Sequence, residues 1–92
     1  AFALGNLYAS QARWNEAQNA YFDALRIASE VDSDSVSPDY AFNLAVSLER
    51  LNQLALAYDY YQQALELSST APSGFSMENL NQRLNYLERA LQ

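Results

Sequence analysis

The sequence contains no cysteine, no histidine and no lysine. Without cysteine there is neither a disulfide framework nor a thiolate ligand for a metal. Without histidine the chain lacks the usual general base and the commonest metal ligand. Its five basic residues are arginines, and a net charge of -6 leaves no basic patch to neutralise phosphates. These absences argue against an enzyme, a bound metal or cofactor, and nucleic acid as a partner.

Glycine and proline occur only twice each, half of the residues are apolar and 17% are charged. This composition is typical of a globular domain, and no apolar run reaches the roughly 18 residues that a transmembrane helix needs. We therefore expect a single domain over residues 1–92 that makes no direct membrane contact. The composition does not distinguish the cytoplasm from the periplasm. Because a helical pattern is already under way at residue 1, we expect the chain to be part of a longer protein.

The sequence repeats itself approximately at a distance of forty residues. AFALGNLY, beginning at Ala1, returns as AFNLAVSL at Ala41, and EAQNAYFDAL, beginning at Glu16, returns as LAYDYYQQAL at Leu56. Self-similarity at a period of this size is typical of stacked helical units that bury their apolar faces against one another. Such an architecture favours partner binding as the role of the chain.

Apolar residues recur at spacings of three and four, which predicts helices throughout. Ser37, Pro38 and Asp39 are typical of a helix start, with an N-cap, a first helical position and a first-turn carboxylate. Phe75 and Ser76 resemble a hydrophobic staple followed by a cap. The predicted helices span residues 2–10, 15–30, 38–51, 54–68 and a last segment that follows Ser76. They form repeat one (1–30), an acidic linker loop (31–37), repeat two (38–71) and a capping helix (75–92).

The two units resemble the tetratricopeptide repeat, whose pattern is W-x2-L-G-x2-Y, then A-x3-F, then P. The first unit matches at Leu4, Gly5, Tyr8, Ala17 and Tyr21, with Ala1 in the place of the tryptophan. The second unit is looser and matches at Ala41, Leu44, Ala45, Leu48, Ala57 and Tyr61. The period of forty exceeds the usual period of about 34, which points to an insertion in the acidic linker.

The resemblance, which is to the bacterial type of this family, implies an all-α solenoid of two helical hairpins and a capping helix. Its five helices would form a right-handed superhelical stack. In this family the first helix of each hairpin lines a concave groove that binds a peptide or a partner helix. The resemblance therefore implies a groove lined by Phe2, Asn6, Ser10, Asp39, Phe42, Asn43, Val46, Glu49 and Arg50.

Two alternatives concern the aromatic and amide residues of this groove. Phe2 and Phe42 recur at equivalent places, where they either meet the partner or pack between the units. Asn6 and Asn43 could hydrogen-bond a peptide backbone, and they are similar to two places of the clamp that binds chaperone-tail carboxylates in one subgroup. The basic residues of that clamp are missing here, so we expect an apolar or basic partner.

The acidic linker does not match a calcium-binding loop, because Ser35 stands where an EF-hand needs glycine and Ala41 where it needs a bidentate glutamate. A solvated loop is favoured. We expect a non-catalytic protein–protein interaction or scaffold module. Two alternatives stay open: the end of a longer solenoid in a bacterial envelope assembly such as a pilus or secretion system, and an accessory domain of an enzyme. Self-association through the N-terminal helix belongs to the first of these.

Overall fold

The computed structural model describes residues 2–33 and 36–92, and within them it has five α-helices and no strand. The helices are α1 (Phe2–Ser10), α2 (Trp14–Val31), α3 (Pro38–Arg50), α4 (Leu54–Leu67) and α5 (Met77–Ala90). The predicted all-α class is confirmed, and the ends of α1 to α4 lie within one residue of those expected. Helix α5 is shorter than the segment 75–92 that was assigned to the capping helix. The right-handed sense of the superhelix stays a prediction. Of the helices in the described segments, none is both long and apolar enough to cross a bilayer.

The two hairpins, α1–α2 and α3–α4, close with the same turn. Ala12 and Asn52, forty residues apart, both have left-handed backbones, with φ of 57° and 61°. In the first turn the backbone N–H of Arg13 donates to the carbonyl of Tyr8 at 2.9 Å, and the second turn has the equivalent bond at the same length. The sequence repeat therefore extends to the backbone of the turns, although alanine is an unfavourable residue for this conformation.

Two serines begin helices as predicted. Ser37 Oγ accepts a hydrogen bond from the Asp39 N–H at 3.2 Å, with Pro38 as the first helical residue. Ser76 Oγ accepts one from the Asn79 N–H at 3.0 Å at the start of α5. Each bond satisfies a backbone donor that the first helical turn leaves without a partner.

Much of the core is formed by residues at equivalent positions of the two repeats. The small residues of the helix seam, Ala17, Ala45 and Ala57, are fully buried, and Tyr21 and Tyr61 fill the space beside them. Helix α3 lies at the centre of the fold, in contact with both α2 and α4. Helix α5 packs chiefly on α4 and buries Leu80, Leu84 and Leu87. Met77 and Leu91 share the helical spacing of these leucines, but both are exposed because they lie at the two ends of α5, beyond the core.

The linker between the repeats is only partly solvated. Helix α2 continues to Val31, because the backbone N–H of Asp32 donates to the carbonyl of Ala28 at 3.0 Å. Val36, which we had assigned to the solvated loop, is buried in the core and anchors the start of repeat two. Asp34 and Ser35, which bear on the calcium question, lie outside the described residues. Among the described residues, no cluster of three acidic side chains could hold a metal ion.

Candidate partner-binding groove

Two depressions follow one another along α3 and share Phe42. The first, the α1–α3 depression, has a volume of about 290 Å³ and is lined by Phe2, Asn6, Asp39, Phe42, Asn43, Gly74 and Phe75. The second, the α3–α5 cleft, has a volume of about 590 Å³ and is lined by Phe42, Val46, Glu49, Arg50, Tyr61, Asn79 and Arg83. Together they form a groove lined by residues of four of the five described helices, α1, α3, α4 and α5.

Eight of the nine groove residues inferred from the sequence line one of these two depressions. The exception is Ser10, an exposed residue at the end of α1. Its Oγ donates to the carbonyl of Leu7 at 2.7 Å, and it lines neither depression. The structure therefore brings together the residues of α3 and the first half of α1, but not the last residue of α1.

Phe2 and Phe42 both pack inside the protein and line the groove. The ring centroid of Phe2 lies 5.5 Å from that of Tyr21 and 4.9 Å from that of Tyr40, so Phe2 joins the two repeats. Phe42 lies edge-on to Tyr61 at 5.5 Å. Both phenylalanines are half-buried and keep part of their surface in the groove. The two interpretations of these residues are thus compatible.

The connection between α4 and α5 docks on the groove. The ring of Phe75 stacks on Phe42, with centroids 4.3 Å apart and an interplanar angle of 10°. The backbone N–H of Gly74 donates to Asp39 Oδ1 at 2.8 Å, and a Cβ on Gly74 would lie only 3.0 Å from the other carboxylate oxygen. Sequence reasoning identified Phe75 only as a staple residue of the last helix, because the contacts of this segment with α3 are more than thirty residues away along the chain.

Each of the two asparagines in the groove, Asn6 and Asn43, makes one side-chain hydrogen bond within the protein. Asn6 Oδ1 accepts a hydrogen bond from the Tyr21 hydroxyl at 2.6 Å, and Asn43 Nδ2 donates to the carbonyl of Asp39 at 2.9 Å. The remaining polar atoms, Asn6 Nδ2 and Asn43 Oδ1, have no hydrogen-bond partner among the described residues. One donor and one acceptor thus remain for a peptide backbone.

Glu49, in the α3–α5 cleft, is held by two side chains from other helices. Arg83 of α5 pairs with both carboxylate oxygens, its Nε donating to Oε1 at 3.1 Å. The Tyr61 hydroxyl donates to the same Oε1 at 2.9 Å. Burial raises the pKa of Tyr61 above its ordinary value, so the phenol keeps its proton and remains a donor. The carboxylate is therefore neutralised within the cleft.

Sequence reasoning missed five residues that line the groove: Tyr61, Gly74, Phe75, Asn79 and Arg83. As a charged residue between the leucines of α5, Arg83 is expected to face solvent, but its long side chain reaches the cleft and Glu49. Arg50 also lines the cleft, with its guanidinium 5.5 Å from the ring centroid of Trp14. With Arg50 and Arg83 against Glu49, the cleft does not share the acidic character of the whole chain.

Comparison with protein families gives two matches. Two family models, both described as tetratricopeptide repeat, match residues 1–35 and 38–71. Together the matched segments cover most of the 92 residues. No curated protein and no solved structure matches the chain significantly. The bacterial type of the repeat stays a prediction.

Proposed function

The chain belongs to the tetratricopeptide repeat family, whose repeats generally mediate protein–protein interaction, and we propose that it binds a peptide or helix of a partner protein in the groove along α3. The observation that carries this proposal is that the α1–α3 depression and the α3–α5 cleft lie one after the other along α3 and share Phe42. A groove with an apolar centre and polar groups at its sides suits a segment that inserts an apolar side chain and hydrogen-bonds through its backbone.

The electrostatics of the groove favour an apolar anchor over a basic one. Asp39 is occupied by the Gly74 N–H, and Glu49 by Arg83 and Tyr61. A basic partner residue would have to displace these bonds, whereas an apolar side chain could pack against Phe42 and Val46 without doing so. Within our expectation of an apolar or basic partner, we therefore propose the apolar one for this groove.

We propose that the chain has no catalytic activity of its own. The family is typically non-catalytic. The groove contains no histidine or cysteine, and its two carboxylates are engaged in structural hydrogen bonds rather than facing a shared substrate position. Because the chain carries a net charge of -6, we propose neither nucleic acid nor an anionic membrane surface as a partner.

The groove can be tested with short peptides selected on the full chain from a random library and then titrated by NMR. We expect amide shifts centred on Phe42, Val46 and Arg83. Val46→Asp should weaken the selected peptides by about tenfold or more, because it places a charge at the apolar centre. The matched control is Ala55→Asp, an exposed alanine of α4 outside the groove. Shifts that avoid α3, or an equal loss in both variants, would contradict the proposal.

A second, structural role is favoured by the exposed face of α1. Leu4 is 43% exposed and Leu7 52%, whereas the equivalent residues of repeat two, Leu44 and Ser47, are 1% and 0% exposed. Repeat one covers that face of repeat two, and in the described structure nothing covers the same face of repeat one. We propose that this face packs on another helix, so that the chain associates with a second copy or with a further helical unit.

A further inference from the structure

A third depression, the α2–α4 cleft, lies on the other side of α3 from the groove. Its floor is formed by Leu44 and Leu48, which the helical period places opposite Phe42 and Val46. Its walls are Gln18, Asn19 and Phe22 of α2 with Leu56 and Tyr60 of α4, so the apolar part lies between Phe22 and the two residues of α4. Neither the family match nor the groove along α3 assigns a role to this surface.

The walls of the cleft are open to solvent, while its floor belongs to the core. Phe22 is 45% exposed and Leu56 48%, whereas Leu44 and Leu48 are buried. The volume of the cleft is about 180 Å³. An apolar cavity of about 150 Å³ admits a benzene ring, so this cleft has room for one large apolar side chain.

The two exposed walls are not required by the packing that the repeats share. Forty residues from Phe22, repeat two has Gln62, and forty residues before Leu56, repeat one has Glu16. Both repeats form the same hairpin, so a polar residue is tolerated at each of these positions. The exposed apolar residues therefore stand where packing does not demand them, and they converge on one cleft.

The helix surfaces beside the cleft are acidic. On α4, Asp59 lies one helical turn from Leu56 and forms no ion pair with any described residue. On α2, Arg26 is shared between Asp23 at 3.7 Å and Glu30 at 3.3 Å, which leaves that trio with a net negative charge. This charge contrasts with the α3–α5 cleft, where two arginines face one glutamate, and with the whole groove, where Asp39 and Glu49 balance them.

From the shape and the charge together, we propose that the α2–α4 cleft docks a basic amphipathic helix. One large apolar side chain of that helix enters between Phe22 and Leu56, and its basic residues lie over the acidic surfaces of α2 and α4. Two exposed helices with an apolar slot between them form the kind of surface that accepts a third helix by its apolar face. The chain then has two docking surfaces of different charge preference.

The probe for this cleft is a synthetic amphipathic helix made of leucine and lysine, titrated into the full chain by NMR. We expect amide shifts centred on Phe22, Leu56 and Tyr60. Phe22→Gln, which introduces the residue that repeat two has at the equivalent position, should weaken binding by about fivefold or more. The matched control, Leu65→Gln, changes an exposed leucine of α4 outside the cleft and should change binding by less than about twofold.

A twin peptide with glutamate in place of lysine tests the charge preference. It should bind at least about tenfold more weakly at low salt, because it meets an acidic surface. The proposal is overturned if the leucine–lysine peptide does not bind, or if the glutamate twin binds equally well. It is also overturned if the amide shifts centre on Phe42 and Val46 or on Leu4 and Leu7. The same holds if Leu65→Gln weakens peptide binding as much as Phe22→Gln does. Failure of this experiment leaves the groove proposal unaffected, since the groove is tested with other peptides and through the amide shifts of other residues.

Discussion

Gly5 shows how closely α1 and α2 approach each other. A Cβ built on Gly5 would lie 2.5 Å from two ring carbons of Tyr21. That ring is buried, touches Phe2 and is held through its hydroxyl by Asn6, so it has little freedom to move away. The equivalent position in repeat two is Ala45, which does hold a Cβ and is fully buried. The two seams therefore share a backbone pattern but differ in how closely the second helix approaches.

We expect Gly5→Ala to lower the free energy of unfolding by roughly 1–3 kcal/mol, the usual cost of overpacking a well-filled site. Helix propensity alone predicts the opposite sign, since alanine is better than glycine in a helix by about 1 kcal/mol. Urea denaturation followed by circular dichroism measures the change. Ala3→Gly, at an exposed position of the same helix, measures the propensity effect by itself. A Gly5→Ala variant as stable as the unmodified chain would show that the seam has spare room.

At the scale of single residues, the sequence identified small seam residues and large fillers because side-chain size follows directly from residue type. It did not identify the role of Arg83. The helical period gives the direction in which this residue leaves α5, but the reach of a long side chain depends on where α3 lies. The engagement of Asp39 by Gly74 likewise depends on how the α4–α5 connection folds back.

Of the three helices α3, α4 and α5, helix α5 makes the fewest contacts with the rest of the described chain. Its apolar contribution is three leucines packed chiefly on α4. Its polar attachment to α3 is the pair between Arg83 and Glu49, with Glu49 the more buried of the two side chains. This pair also forms one wall of the α3–α5 cleft, so the position of α5 and the shape of the groove are linked.

We expect Arg83→Met to destabilise the chain by about 1 kcal/mol, the contribution of a partly exposed but bidentate ion pair. Amide hydrogen exchange in α5 should accelerate more than in α3, because the helix loses its polar attachment while keeping its leucines. Arg89→Met is the control, since Arg89 is exposed on the same helix and forms no ion pair with a described residue. Equal exchange rates in the two variants would contradict the attachment of α5 through Arg83.

At the scale of elements, the ends of α1 to α4 were predictable to within one residue. Caps, prolines and apolar periodicity are local properties of the chain, and the serines at positions 37 and 76 act as the sequence indicates. The docking of the α4–α5 connection was not predictable. It rests on the stacking of Phe75 on Phe42, a contact between distant segments whose geometry is set by the packing of α3 against α4.

At the scale of the whole molecule, the forty-residue repeat allows the exposed face of α1 to be compared with the equivalent face of α3, which is buried. Leu44 and Ser47 are covered within the chain, while Leu4 and Leu7 are not. Two neighbouring exposed leucines on a short helix form an apolar face of the kind that solenoid units bury against each other.

We expect the chain to associate with itself at high concentration through this face. Leu4→Gln combined with Leu7→Gln should abolish the concentration dependence in analytical ultracentrifugation while leaving the helical content unchanged, because both side chains are exposed. Leu65→Gln serves as the control, as it removes an exposed leucine from a different helix. An unmodified chain that sediments as a monomer at every concentration would count against self-association and leave a different helical unit as the occupant.

The sequence by itself determined the helical class, the helix ends, the seam of small residues and the family, because each depends on residue type and spacing along the chain. Eight of the nine residues that the resemblance implies for a groove line the two depressions along α3, and their role in binding stays a prediction. Only the tertiary structure decided which charges the groove presents and which apolar faces stay open. Arg83 neutralises Glu49, Phe75 stacks on one side of Phe42, and Phe22 and Leu56 line the same cleft, because packing brings distant segments of the chain together.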